Sequence, residues 1–160
     1  VSKGIGMLRR MKPYVPKYTL MHVYNALIMP YFDYCSLVWD TCSNYLIENL
    51  QKLQNRAARI ISGKTYDIRS CEILADLGWQ PLVERMKFKK AMFMFNIKHN
   101  NLNEPMKNMF EISHNELHNL RSNAVNFHIP KPKTNFMKKS ISYSGALLWT
   151  ACHRRQRNGE

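Results

Sequence analysis

The chain has 160 residues, 45% of them hydrophobic and 11% aromatic, which is too apolar for a disordered tail and enough for a core that removes roughly two-thirds of the unfolded surface from water. Its 24 Lys and Arg against 11 Asp and Glu give a net charge of +13, so a polyanion is the expected partner, with a solvated basic surface or contact with an acidic domain as the plain alternatives. Cys35, Cys42, Cys71 and Cys152 are too scattered for a paired-cysteine zinc site and no apolar run reaches the ~20 residues of a membrane span, so reduced thiols, an intracellular setting (nucleus, cytoplasm or both) and no membrane are expected.

Positive charge gathers at both ends: Lys3, Arg9, Arg10, Lys12 and Lys17 precede the first acid, Asp33, and eight cations lie between Glu116 and Glu160 with no acid among them. The chain starts at Val1, inside what reads as a helix, and so reads as cut from something longer. Ile5, Leu8 and Met11 mark a short helix ending before Pro13, and Lys12-Pro13-Tyr14-Val15-Pro16 is a rigid turn. Leu20, Val23, Tyr24, Leu27 and Ile28 then give an amphipathic helix over about 17–29, which Pro30 ends or kinks. Tyr31 to Trp39 is a dense aromatic stretch expected to be a buried short helix.

A second clear helix spans about 44–61, with Leu46, Leu50, Leu53, Ala57 and Ile60 as the expected inner stripe and Ser62-Gly63 as its stop. Its other face carries Glu48, Lys52, Asn55, Arg56 and Arg59, a polar stripe with three cations that could follow a phosphate backbone or simply be solvated. A short helix from Ser70 to Leu77 closes on Gly78, and Trp79-Gln80-Pro81 leads into a long helix over about 82–99. That helix is apolar over a wide arc including Leu82, Met86, Phe88, Met92 and Phe95, as expected of a core element packed on two sides. Beyond Asn100 the pattern weakens: a short helix near Met106 to Phe110, a polar Asn- and His-rich tract, an extended segment from Asn126 to Pro130 and a Lys131-Pro132-Lys133 loop. Ser140 to Ala151 is a last short helix, followed by a frayed tail with Arg154, Arg155 and Arg157. Trp39, Trp79, Tyr34 and Leu53 are expected to be buried.

No catalytic constellation stands out. A two-metal polymerase or nuclease needs neighbouring carboxylates, and Asp33, Asp40, Asp67 and Asp76 have no acidic neighbour; Asp33, set among aromatics, is expected to hydrogen-bond in a buried setting. His114-Asn115-Glu116-Leu117-His118 has two His at i and i+4, but its Glu falls one place too late for a zinc protease helix. Gly4-Ile5-Gly6 lacks the rest of a dinucleotide loop. The expectation is no catalytic residue, no metal site and no cofactor in this chain.

Four ordered blocks carry a resemblance. Tyr24-Asn25-Ala26-Leu27-Ile28-Met29-Pro30-Tyr31-Phe32-Asp33-Tyr34-Cys35 through Trp39 looks like the stretch that follows the polymerase palm in LINE-type non-LTR retrotransposon reverse transcriptases of the jockey kind. Leu50-Gln51-Lys52-Leu53-Gln54-Asn55-Arg56-Ala57-Ala58-Arg59-Ile60-Ile61, Leu77-Gly78-Trp79-Gln80-Pro81-Leu82 with Arg85, and Ser140-Ile141-Ser142-Tyr143-Ser144-Gly145-Ala146 with Trp149 resemble later blocks of the same family. The family usually continues Trp-Asn-x-Leu-Pro, whereas Trp149 is followed here by Thr150-Ala151-Cys152-His153.

The resemblance implies a mainly α chain: a thumb-like helical bundle over 1–63, a helical continuation packed on it over 64–110, and a loop-rich basic segment with a short final helix over 111–160. It implies the thumb and C-terminal region of an RNA-directed DNA polymerase whose palm lies elsewhere in the parent chain, non-catalytic on its own. Its partners would be RNA, an RNA–DNA hybrid and that palm. Phosphate contacts are expected from Arg9, Arg10, Lys12, Lys52, Arg56 and Arg59, which would position nucleic acid without reading its sequence. The rivals are a standalone or domesticated helical RNA-binding module, and a helical packing domain whose charge is incidental.

Overall fold

A computed structural model describes residues 1–99, 101–110 and 127–158, with side chains as far as Cys152. The chain is mainly helical, and no strand is present among the described residues. It divides into two compact units, Val1–Met86 and Lys87–Glu160.

In the first unit α1 (Ser2–Met11), α2 (Lys17–Leu27), α3 (Met29–Asp33), α4 (Ser36–Trp39), α5 (Asn44–Ser62) and α6 (Ser70–Asp76) lead into α7 (Leu82–Lys98). Helix α5 packs against α1, α2 and α6. Its contributions to the core, Ala57, Ala58 and Ile61, meet Ile5 and Leu8 of α1, Leu20 and Tyr24 of α2, and Ile73 and Leu74 of α6. Small side chains at 57 and 58 let the neighbouring helices come close, as Gly4 does on α1: a Cβ there would lie 2.9 Å from the Ile28 side chain. The division of the chain falls inside α7 rather than at Gly63, because Ile73, Leu74, Leu77 and Leu82 complete the same core.

The long helices lie where the periodicity of their sequences predicts, but several faces are turned. On α5 the buried positions are Ile47, Gln54, Ala57, Ala58 and Ile61, while Leu46 is half exposed and Leu50, Leu53 and Ile60 are half-buried. The core face is thus rotated by about one residue from the expected stripe, since a buried Gln interrupts the apolar pattern. The aromatic stretch after Pro30 is not one buried helix. It breaks between α3 and α4 at Cys35, which takes a left-handed φ of 49°, and it leaves Tyr31, Tyr34 and Val38 exposed. Tyr34 is 78% exposed; Trp39 is half-buried and donates its indole N–H to the Tyr34 carbonyl at 2.8 Å. Trp79 and Leu53 are also half-buried.

The second unit contains the rest of α7, α8 (Glu104–Lys107), α9 (Asn135–Lys139) and α10 (Ile141–Asn158). Met94, Ile97, Phe110, Phe127 and Ala146 form its core. Edge-to-face contacts run from Phe93 to Phe110, from Phe110 to Phe127 and from Phe127 to Trp149, with ring centroids 6.1, 5.9 and 5.8 Å apart. Gly145 is buried against α7, where a Cβ would sit 2.8 Å from the Met94 sulfur, which accounts for a glycine in the final block. Phe88, Met92 and Phe95 are exposed, so α7 is not buried over the wide arc expected. Helix α10 continues to Asn158, where a frayed tail was expected, and α9, capped by the Thr134 hydroxyl on the Met137 N–H, was not anticipated. No helix of the described residues is long and apolar enough to cross a membrane.

Candidate nucleic-acid interface

Three blocks that are far apart in sequence meet in the first unit. Gln54, fully buried, donates to the Gln80 carbonyl at 3.1 Å and accepts from Gln51 Nε2 at 2.8 Å. The Gln51 side-chain Oε1 accepts the Leu82 N–H at 2.8 Å, so α5 supplies a partner for one of the donors left open at the start of α7. Gly78, at φ 66°, closes α6: its N–H reaches the Ala75 carbonyl and the Trp79 N–H reaches Leu74, a pattern that needs a left-handed residue. The turn sets Trp79 flat on Tyr24, with centroids 4.0 Å apart and planes 17° from parallel. Asp33 and Arg85, 52 residues apart, form a two-pronged ion pair with both contacts at 2.7 Å. Asp33 hydrogen-bonds as expected, but in a half-buried rather than a buried setting, and the bond raises the Arg85 pKa above its ordinary value.

On this frame the C-terminal ends of α1 and α5 come together. Arg9 and Lys12 from the end of α1, Arg56 and Arg59 from the last turns of α5, and Lys64 and Tyr66 from the following loop line an open notch of about 570 Å³. Pro13 and Ile60 supply its apolar surface. Gly63 ends α5 at φ 71°, its N–H bonded to the Arg59 carbonyl at 2.9 Å, and the Lys12 ammonium lies beside it, 3.6 Å from where a Cβ would be. Lys12 thus lies against the negative end of the α5 dipole, and Arg9 and Arg10 occupy the last turn of α1. Part of the positive charge offsets two helix ends; the rest faces solvent.

The six residues expected to meet phosphate separate into three groups. Arg9, Lys12 and Arg56 are brought together, exposed and without an ion pair among the described residues. Arg59 joins them but is half-buried and engaged: its guanidinium donates to the carbonyls of Thr65 at 2.7 Å and Ile68 at 2.9 Å and to the Ser70 hydroxyl at 2.9 Å. It holds the loop after α5 in place. Arg10 and Lys52 do not line the notch; Lys52 sits one turn before Arg56 and reaches Asn49 Oδ1 at 3.4 Å.

Two lining residues escaped the sequence reading. Lys64 is paired with Asp76, and Tyr66 is 82% exposed with the Arg59 guanidinium 5.0 Å from its ring centroid. The available signal was Gly63: a left-handed helix stop turns the following residues back beside the last turn, where Arg59 already stood. His114 and His118 lie outside the described residues, as do the side chains of Arg154, Arg155 and Arg157. No family model matches the chain, and no curated protein or solved structure matches it either.

Proposed function

We propose that this chain is the thumb-like and C-terminal region of a non-LTR retrotransposon reverse transcriptase, and that it holds RNA or an RNA–DNA hybrid by the phosphate backbone while polymerisation takes place elsewhere in the parent chain. The observation that carries the reading is the meeting of Arg9 and Lys12 with Arg56, from separate helices, on one concave surface of a chain with a net charge of +13. The packing of α1 on α5 sets where the backbones of these cations lie, so several positive side chains can reach one polyanion together. The blocks that carry the resemblance also meet in the fold: Gln51, Gln54, Trp79, Leu82, Asp33 and Arg85 are bonded or stacked with residues of the other blocks.

In this role the chain contributes no catalytic group and takes no cofactor; its work is to hold and position. Purified chain should therefore extend no primer in the presence of magnesium or manganese. It should bind hybrids of unrelated sequence alike, and log affinity should fall linearly with log salt. An affinity that ignores salt would contradict the proposal and favour the packing-domain reading. That rival has an observation of its own: an apolar groove of about 430 Å³ between Tyr31, Trp39, Leu46, Leu50 and Leu53. A groove of that kind would serve docking to the parent palm, a contact that salt leaves largely intact.

A further inference from the structure

We infer that the basic notch is built for an unpaired nucleotide, with its base stacked on Tyr66 and its flanking phosphates held by Arg9, Lys12 and Arg56. The inference rests on the phosphate-binding reading above and adds the form of nucleic acid that the notch selects. Tyr66 is 82% exposed although it lies in the lining of the notch, and the Arg59 guanidinium covers one side of the ring at 5.0 Å from its centroid. At that exposure most of the ring remains accessible to a ligand. A paired duplex has no use for it, because its bases already stack on one another and show only their edges and phosphates. A single strand offers base faces, and an aromatic ring beside cations is the surface on which such faces stack whatever their sequence.

The size of the notch agrees with this reading. At about 570 Å³ the open notch is in the size range of sites that take one small ligand. The loop that carries Tyr66 is also set before any ligand arrives. Arg59 holds the carbonyls of Thr65 and Ile68, the Thr65 hydroxyl donates to Asp67 at 3.0 Å, and Lys64 is paired with Asp76. A ring held in this way loses little freedom on stacking, which favours binding. Pro13 and Ile60 add apolar surface beside the cations, suited to a sugar or base edge rather than to phosphate.

The test uses three labelled probes of equal length: a single-stranded RNA of mixed sequence, the same strand annealed to its DNA complement, and an abasic strand that keeps the sugar-phosphate backbone. The intact chain should bind the single strand roughly ten- to a hundred-fold more tightly than the abasic strand, the usual worth of one stacked base. Tyr66→Ala should remove most of that preference and leave affinity for the abasic strand unchanged, while Tyr66→Phe should retain it. Since the ring is largely exposed, the thermal unfolding of both variants should match that of the parent. Salt-dependent binding of all three probes with no effect of Tyr66→Ala overturns the stacking inference alone. An equal loss on every probe also overturns it, leaving Tyr66 as no more than a support for Arg59. Absence of salt-dependent binding by the unmodified chain overturns the phosphate-binding proposal as well.

Discussion

Arg59 shows how a side chain can look like a ligand contact in sequence and be a structural brace in space. It shares the polar stripe of α5 with Arg56, yet three of its donors are used inside the chain, on Thr65, Ile68 and Ser70. Removing it would loosen the loop and the notch together, so a charge-removal experiment that includes it could not separate binding from folding. Tyr24 is the opposite case, a polar atom buried with nothing to bind. Its ring is fully buried against Trp79, but its hydroxyl has no hydrogen-bond partner within bonding geometry, although the Gln54 amide lies close enough to act on it. Burial pushes its pKa up to about 12, with Gln54 pulling the other way. Since the folded value lies above the unfolded value of about 10, the neutral phenol's contribution to stability is fully present below pH 10 and is lost as pH rises through 12. The loss should be on the order of 2–3 kcal/mol. Tyr24→Phe should be neutral or slightly stabilising at pH 7, by up to about 1 kcal/mol, since it removes an unsatisfied hydroxyl. Urea unfolding at pH 7 and at pH 11 should show the variant losing less between the two than the parent does. Equal losses would mean that Tyr24 does not titrate as described.

At the scale of elements, helix positions were legible in the sequence and helix faces were less so. Leu20, Tyr24 and Ile28 are buried at the expected spacing, and α2, α5 and α7 fall within two residues of their expected limits. On α5, the stripe of Leu46, Leu50 and Leu53 has the wrong phase. Gln54 is fully buried because the turn at Gln80 offers it a carbonyl, and a contact 26 residues away leaves no mark on local periodicity. The same holds for Asp33 and Arg85, whose partnership only the assembled fold reveals. Their two-pronged contact ties the end of α3 to the first turns of α7 in a half-buried setting. Arg85→Ala and Asp33→Asn should each destabilise the chain by about 1–3 kcal/mol, and the double variant should cost clearly less than the sum. Arg85→Lys should recover little, because an ammonium cannot make the paired contact. Additive costs in a denaturant double-mutant cycle would show that the pair contributes nothing of its own.

At the scale of the whole molecule, composition announced a basic protein and the fold decided where the basic side chains meet. Of the six cations expected to meet phosphate, Arg9, Lys12, Arg56 and Arg59 share one notch, whereas Arg10 and Lys52 sit outside its lining. The convergence of α1 with α5 could not be read from either helix alone, since it depends on Ile5 and Leu8 meeting Ala57, Ala58 and Ile61 in one core. Arg9, Lys12 and Arg56 are exposed, so all three can be replaced by Gln while helix propensity stays high and Arg59 keeps its bonds. The decisive measurement is the salt dependence of binding to an RNA–DNA hybrid with a single-stranded RNA overhang, for the parent and for this triple variant, with helical content checked by circular dichroism. If the notch grips phosphates, affinity should fall for every sequence alike and the slope of log affinity against log salt should shrink by about two to three units. Unchanged affinity and an unchanged slope in a folded variant would contradict the account.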